Sequence, residues 1–448
     1  MRVVMFESIL ATPHTETLIE LSILHSIAGD EVIYVPAYRF LGSSPWNSPI
    51  NGDPSLSSSI PAWDHYITDL IAPYVKVWIP EFVYQNIPPE WVNMSDLLGY
   101  IDRYTATLYN IDITSSDPKT TNARKAEIAS LCERTIKLVH VIVEHFHPDQ
   151  LYCFNGRTPS SWPLSHIAER IGLNCNYHER GASKEKYALF NKPPAYMSAW
   201  SSLYLQHRSK QELSRAKLNS AYFFRLQAAG KLNNFSYEKR DFDDSLPNFL
   251  APNEQFVVYF CTSNREIDTV PDNDAFFPSL PTQSACINLL KVVCRLLNIK
   301  LVIRTHPSGM DDIAEVMSLH DGLSCFVIPP DSKVSSYILG SKAKARFSVG
   351  STIGYELIYR GLDCALMARS IVLGEEGLST TTDKDSIRDY ILKSGAIEGN
   401  NDFIYYLGDF LLSYGYDYHL FNATGLFSGY IDLTQLNSKL KYVPDLAP

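Results

Sequence analysis

The residues best suited to chemistry stand between a predicted strand and a predicted helix in the second half of the chain. Residues 347–356 read FSVGSTIGYE, so that a small-residue turn brings the hydroxyls of Ser351 and Thr352 to the helix start. Free backbone N–H groups and the helix dipole both favour an anion there, which predicts a phosphate site. Glu356 follows about one turn later and can accept ribose hydroxyls. The alternative is that Ser351 only caps the helix and Glu356 only complements its dipole.

Three more predicted strands of this half end in polar motifs, namely TSNR at 262–265, RTHP at 304–307 and IPPD at 328–331. The proline of RTHP ends its strand, and His306 can then donate to a phosphate or a ribose hydroxyl, unless it is a structural strand-end histidine. Because carboxyl ends of parallel strands share one sheet edge, the motifs predict a single nucleotide site. The residues assigned to it are Arg304, His306, Pro307, Ser351, Thr352, Glu356, Thr262 and Ser263.

In the first half, two neighbouring predicted strands end in FNGR at 154–157 and YHERG at 177–181. Glu179 is either a base for an acceptor hydroxyl or a nucleophile. The alternative is an Arg–Glu pair that only closes the crevice. Arg157 and Arg180 suit bidentate binding of a sugar carboxylate. The substrate-binding residues predicted from these motifs are Asn155, Arg157 and Arg180.

The loop TPHTE at 12–16 follows the first predicted strand and offers His14 or Glu16 as a catalytic alternative. Helix capping by Thr15, with Glu16 in the first turn, explains the same residues without catalysis. We assign the catalytic roles to Glu179 and His14.

The elements that must position these motifs repeat a strand–helix–strand rhythm. Residues 2–35 form one such unit and residues 150–178 a second, which implies parallel pairing. The charged, loop-like stretch 231–253 is the predicted linker, and the rhythm restarts with a strand at 256–261. The sequence therefore predicts an α/β protein with two doubly wound sheets.

Composition excludes several classes of protein. The 448 residues carry 39 basic and 49 acidic side chains, and a net charge of −10 argues against a nucleic-acid partner. The eight cysteines form no CxxC motif and lie mostly in apolar runs, which is typical of free thiols in a cytoplasmic protein. The glycine motifs of NAD and P-loop sites are absent. His145 and His147 lack a cysteine or carboxylate cluster, so we expect no metal.

The order of the second-half motifs resembles the nucleotide-binding half of GT-B glycosyltransferases, over about residues 256–370. An apolar strand precedes RTHP, and IPPDSKVSSYILGSKAKARFSVGSTIGYELIYRG follows. The sequence is most similar to the capsule-polysaccharide group that uses CMP-activated sugars, including Kdo transferases. In that group an HP pair and a Ser/Thr-rich turn bind CMP, which implies this role for the pairs at 306–307 and 351–352. Glu179 is similar in placement to the strand-end acid of Kdo transferases.

The resemblance implies two Rossmann-like domains facing a central cleft, one for the acceptor over 1–240 and one for the nucleotide sugar over 250–448. The last helices of the second domain are expected to be able to pack back on the first. The implied reaction moves a sugar from a nucleotide donor, CMP-linked and such as CMP-Kdo, to a glycan or lipid-linked glycan of a bacterial surface polysaccharide. No cofactor or metal is implied. A cytoplasmic protein, able to associate peripherally with the inner face of the membrane, is expected.

Two alternatives use the same fold. A UDP-sugar 2-epimerase, or a transferase using a UDP-sugar, would bind a different donor, and an epimerase needs no acceptor. A degenerate GT-B protein would bind glycan without catalysis, although the intact pairs at 306–307 and 351–352 argue against decay.

Overall fold

The structure is a computed structural model, and it describes residues 1–41, 67, 69–79, 91–109, 118–229, 245–251, 253–262, 276–306, 313–393 and 401–436. The chain divides into two compact units. Unit 1 is Met1–Ala195 with Ser413–Pro448, and unit 2 is Tyr196–Leu412.

The strands are β1 (Arg2–Phe6), β2 (Glu31–Val35), β3 (Lys76–Val77), β4 (Gln150–Phe154), β5 (Asn174–Arg180), β6 (Lys186–Phe190), β7 (Phe256–Phe260), β8 (Lys300–Arg304), β9 (Cys325–Ile328), β10 (Ala345–Ser348), β11 (Ala365–Leu366), β12 (Tyr416–Asp417), β13 (Phe421–Gly425) and β14 (Ser428–Ile431). The helices are α1 (His14–Ile27), α2 (Ala37–Leu41), α3 (Met94–Tyr109), α4 (Pro118–Phe146), α5 (Trp162–Ile171), α6 (Met197–Arg208), α7 (Leu213–Ala228), α8 (Gln283–Leu296), α9 (Ile313–Ser318), α10 (Ser336–Lys342), α11 (Thr352–Tyr359), α12 (Lys384–Lys393) and α13 (Phe403–Ser413).

Unit 1 is built on a seven-stranded sheet in the order β12-β6-β5-β4-β1-β2-β3. The five strands from β5 to β3 pair in parallel, whereas β6 and β12 add antiparallel pairs at one edge. The central strands are apolar almost throughout because both faces are covered. Val3 and Met5 of β1, for example, share a core cluster with Leu18 and Leu21 of α1.

Unit 2 holds a five-stranded parallel sheet in the order β11-β10-β7-β8-β9. One face is covered by α8, whose Ile287 and Leu290 join a core cluster with Val257 and Tyr259 of β7. The predicted α/β class is confirmed: the chain has two Rossmann-like units, each built on a sheet of mainly parallel strands.

The division of the chain differs from the predicted domains 1–240 and 250–448. Helices α6 and α7 belong to unit 2, because Asp409 of α13 accepts hydrogen bonds from His207 (2.8 Å) and Asn219 (2.6 Å). The last helices, α12 and α13, also lie in unit 2, and only the strands after Ser413 return to unit 1. Most of the predicted linker 231–253 lies outside the described residues.

Two further observations concern the whole chain. All eight cysteines are buried and none forms a disulfide, as predicted. None of the helices within the described residues is long and apolar enough to span a membrane.

A buried carboxylate explains why the C-terminal segment belongs to unit 1. Glu20 of α1 is fully buried and accepts the backbone N–H groups of His419 (2.6 Å), Leu420 (2.9 Å) and Phe421 (2.9 Å). Charge-assisted bonds of this kind are stronger than neutral ones. They hold the start of β13 against α1, about 400 residues away along the sequence.

Substitution of Glu20 by alanine is expected to lower the free energy of unfolding by about 3 kcal/mol or more, since each buried N–H left without an acceptor costs about 1–3 kcal/mol. Urea unfolding measures the change. Glu31→Ala is the control, because this exposed carboxylate makes only a surface ion pair with Arg2, so about 1 kcal/mol or less is expected there. Equal losses in both variants would contradict the role given to Glu20.

Candidate functional site

In unit 1 the turn after β4 aims a side chain at the end of β5. Asn155 (φ 58°) and Gly156 (φ 71°) both adopt the left-handed region, which asparagine tolerates and glycine favours. Glycine is also required for space, because a Cβ at Gly156 would lie 2.8 Å from the Tyr177 ring. The turn places Asn155 Nδ2 2.7 Å from Glu179 Oε2, to which it donates.

Glu179 and His14 come together at this carboxyl edge of the sheet. The Glu179 carboxylate also accepts the backbone N–H of Arg180 at 3.0 Å, so two donors fix its orientation. His14 begins α1, and its Nε2 lies 3.7 Å from Glu179 Oε1. This separation is too long for a hydrogen bond, yet a hydroxyl oxygen placed beside both atoms would lie within hydrogen-bond distance of each.

The histidines of this site are held neutral. Burial, and then the nearby Arg180 charge, lower the pKa of His14 to about 3. Burial, and then His14, lower the pKa of His178 to about 3 as well. The contact between His14 and Glu179 is therefore not an ion pair, and the neutral imidazole of His14 keeps one unprotonated nitrogen that can accept a hydrogen bond.

The two arginines predicted to bind substrate sit at the same edge. The Arg180 guanidinium lies 4.6 Å from the centroid of the Phe427 ring. The backbone carbonyl of Arg157 accepts the Tyr100 hydroxyl at 2.8 Å, which anchors the turn. Within the described residues neither arginine forms an ion pair with Glu179, so the alternative of a crevice-closing Arg–Glu pair is not what the structure shows.

Sequence reasoning missed a group of buried polar residues below this site. Glu7 and Ser8 follow β1 directly and are fully buried, and Glu7 Oε2 accepts the Tyr34 hydroxyl at 3.1 Å. Burial raises the pKa of Glu7 to about 8, so this carboxyl is protonated near neutral pH. Among the described residues, Glu7 Oε1, Ser8 Oγ and both ring nitrogens of His178 find no partner. The available signal was a Glu–Ser pair directly after the first strand.

The loop at 12–16 is more structural than catalytic, except for His14. Glu16 is buried and accepts the Thr12 hydroxyl at 2.8 Å, while the Thr15 hydroxyl accepts the backbone N–H of Ala11 at 3.1 Å. Burial raises the pKa of Glu16. Helix capping by Thr15 is not realised, because Pro13 is the N-cap of α1 and makes no side-chain cap bond. Thr15 and Glu16 instead stabilise the loop before the helix, whereas His14 faces Glu179.

In unit 2 the turn between β10 and α11 is shaped by its own residues. Ser348 Oγ accepts the backbone N–H of Ser351 at 3.0 Å, and Gly350 has φ +94°. The Ser351 side chain makes no capping bond, so the simple N-cap alternative is not realised. Thr352 is exposed at the first helical position. Among the first N–H groups of α11, that of Gly354 already donates to the Ser351 carbonyl at 3.0 Å, so the groups available to an anion are those of Thr352 and Ile353.

Gly354 is explained by packing rather than by ligand binding. A Cβ there would lie 3.2 Å from Ser348 Cβ and 3.4 Å from Cys364 Sγ, so a side chain at this position would crowd the contact between α11 and the sheet. Gly350 is likewise explained by its positive φ. Backbone conformation and packing therefore explain both glycines, and neither is evidence for a ligand at this turn.

Arg304 and His306 of the RTHP motif have different roles. Arg304 is buried and donates to the carbonyls of Pro329 (2.5 Å) and Ser332 (3.1 Å), so it fixes the loop after β9. His306 lies two residues beyond β8, and burial, followed by the Arg304 charge, lowers its pKa. His306 thus presents a neutral imidazole near the edge of the sheet. Direct nucleotide contacts of both residues stay predictions.

The remaining predicted nucleotide residues are less exposed to a ligand. Gln283 clamps the backbone of Thr262 by accepting its N–H (2.8 Å) and donating to its carbonyl (3.2 Å). Glu356 is buried and accepts the Tyr337 hydroxyl, and burial raises its pKa. Its carboxylate is therefore engaged with α10, and a ribose contact stays a prediction. Pro307 and Ser263 lie outside the described residues.

No group of three or more metal-binding side chains occurs within the part of the chain that the structure describes.

The comparisons with known proteins add little to this geometry. No protein-family model and no curated sequence matches the chain. Among solved structures, Thermosulfurimonas dismutans KpsC, a beta Kdo 2,4 transferase, is 10% identical with a TM-score of 0.38 over 58% of this chain and 87% of its own. Methanocaldococcus jannaschii UDP-GlcNAc 2-epimerase, in complex with UDP-GlcNAc and UDP, is 9% identical with a TM-score of 0.32 over 91% and 98%. At such values the likeness carries no argument about activity, and the chain's own topology defines its fold.

Proposed function

We propose that the protein is a glycosyltransferase that takes its sugar from a nucleotide donor, CMP-linked and such as CMP-Kdo, and transfers it to a hydroxyl of a surface glycan or lipid-linked glycan. The observation that carries the proposal is the pair formed by neutral His14 and oriented Glu179. Their facing atoms stand 3.7 Å apart, which suits an acceptor hydroxyl rather than a direct bond.

In unit 1 the proposed step is a proton transfer. The acceptor O–H gives its proton to His14 Nε2, and Glu179 stabilises the resulting imidazolium while Asn155 holds the carboxylate. The acceptor oxygen then forms a bond to the anomeric carbon, and the bond from that carbon to the donor phosphate breaks. The electron pair leaves with CMP. A sugar carboxylate bound to Arg180 would offset the positive charge that lowers the pKa of His14, which would strengthen the base in the complex.

In unit 2 the proposed site receives the nucleotide. The phosphate would accept hydrogen bonds from the N–H groups of Thr352 and Ile353 at the start of α11, beside the Ser351 and Thr352 hydroxyls. His306 would donate to the phosphate or to the ribose. These groups are already in place before reaction, so they can stabilise the charge that develops on departing CMP. The resemblance of RTHP and the Ser/Thr turn to CMP-sugar enzymes supports cytidine as the base.

CMP at about 100 times its Kd is expected to raise the melting temperature of the protein by roughly 3 °C, since a ligand that binds only the native state stabilises it. The measurement is a thermal-shift titration with CMP, CDP, UDP and GDP. His306→Ala should abolish the CMP shift. His320→Ala is the matched control, because this exposed histidine of unit 2 accepts the backbone N–H of Val327 and should leave the CMP shift intact.

Each of the other results of the thermal-shift titration would change the proposed function. A shift with UDP and none with CMP would overturn the cytidine donor and favour a UDP-sugar enzyme. No shift with any nucleotide would favour a degenerate, glycan-binding protein. Product analysis then separates transfer from epimerisation, because an epimerase converts its UDP-sugar without an acceptor.

A further inference from the structure

Helix α7 of unit 2 exposes a stripe of two apolar residues flanked by two cationic ones, here called the outer stripe: Arg215, Leu218, Tyr222 and Arg225. At 3.6 residues per turn these four positions fall within about 80° of the helix circumference. Leu218 is 75% exposed and Tyr222 47% exposed. The opposite face of α7 is buried in unit 2 through Ala216, Ser220, Phe223 and Phe224. The outer stripe is therefore turned away from the core of its unit.

The charge of this helix is opposite to that of the chain. The net charge is −10, yet α7 contains Arg215, Lys217 and Arg225 and no acidic residue. Within the described residues none of these three cations pairs with a carboxylate. Two of them lie near aromatic rings instead, with Lys217 Nζ 5.2 Å from the Tyr405 centroid and the Arg225 guanidinium 5.3 Å from that of Tyr222. Their charge is therefore available to an external anion.

We propose that the outer stripe docks on the surface of a bilayer that contains anionic phospholipid. Arginine head groups would meet lipid phosphates, while Leu218 and the Tyr222 ring enter the boundary between head groups and acyl chains. A soluble polyanion would bind the same cations, but it would not account for the exposed Leu218, which has no apolar partner in such a complex. Each basic residue near an anionic leaflet strengthens binding by about fivefold. The proposal concerns a surface of unit 2 and does not depend on the proposed transferase activity.

Sedimentation with vesicles tests the proposal directly on the full chain. The protein is expected to sediment with vesicles of equimolar phosphatidylcholine and phosphatidylglycerol, and not with phosphatidylcholine alone. Binding should fall when salt rises from about 0.1 M to about 1 M, because the screening length shrinks from ~10 Å to ~3 Å. The double variant Arg215→Glu with Arg225→Glu should lose at least tenfold in vesicle affinity.

Matched variants separate the stripe from bulk charge. Lys119→Glu with Arg124→Glu changes the net charge by the same amount on exposed positions of α4 and should bind vesicles far better than the stripe variant. Leu218→Ser should weaken binding severalfold, whereas Leu323→Ser, at an 82% exposed leucine elsewhere in unit 2, should not.

Three results would overturn the proposal. The first is no binding to anionic vesicles, and the second is equal loss in both charge variants. The third is binding to dextran sulfate in solution that matches vesicle binding and ignores Leu218→Ser, which would assign the stripe to a soluble polyanion.

Discussion

Replacement of Glu179 by glutamine is expected to lower the rate of sugar transfer by about 10²–10⁴-fold, the contribution that a positioned acid–base group makes. The amide keeps the size of the side chain but removes the negative charge that would stabilise the His14 imidazolium. The turnover number, measured as CMP release in the presence of acceptor, should fall by this factor. The thermal shift produced by CMP should be unchanged, because the nucleotide site is assigned to residues of unit 2.

The control for this experiment is Glu185→Gln, an exposed carboxylate near the end of the same strand pair that should leave the rate unaffected. Combining Glu179→Gln with His14→Gln tests whether the pair acts as one unit. If both serve the same proton transfer, the double variant should be little slower than the worse single variant. Losses that multiply would show independent roles, and a Glu179→Gln enzyme of normal rate would refute the stabilising role proposed for Glu179.

Glu7→Gln is expected to remove much of the decline in stability between about pH 5 and about pH 8. Burial raises the pKa of Glu7 from 4.5 to about 8, so the folded state keeps a proton that the unfolded state releases over this range. The stabilisation due to Glu7 is thus fully present below its unfolded pKa and is lost as pH rises through the folded pKa. The loss approaches ~1.4 kcal/mol for each pH unit, or several kcal/mol in all.

Glutamine is neutral at every pH and can still accept a hydrogen bond from the Tyr34 hydroxyl. The free energy of unfolding of Glu7→Gln should therefore lack the decline with pH that Glu7 causes. Urea unfolding of both proteins across the pH range gives the comparison. His14 and His178 act in the opposite direction, because their lowered pKa values make stability rise with pH through the unfolded pKa. Both proteins share that contribution, so the difference isolates Glu7. Parallel curves would refute a protonated Glu7, and exposed Glu31→Gln should follow the wild type.

Much of the fold followed from local pattern. The strand–helix–strand units predicted at 2–35 and 150–178 are present, as is the strand predicted to begin at Phe256, because buried parallel strands are short apolar runs that differ sharply from the turns around them. The end of β5 did not follow from local pattern. It extends to Arg180 because the antiparallel partner β6 pairs Glu179 with Ala188 and Arg180 with Tyr187. That pairing depends on a neighbouring strand rather than on the strand's own residues.

The sequence by itself determined the order of strands and helices, the α/β class and the polar residues placed at strand ends. These properties depend on hydrophobic periodicity within a few residues. Only the tertiary structure decided that His14 lies beside Glu179, and that Arg304 holds a loop. It alone showed that Glu20 binds the backbone of residues 419–421 and so returns the C-terminal strands to unit 1. The physical reason is that a buried polar group must satisfy its hydrogen bonds with whatever the fold brings near it, at any distance along the chain.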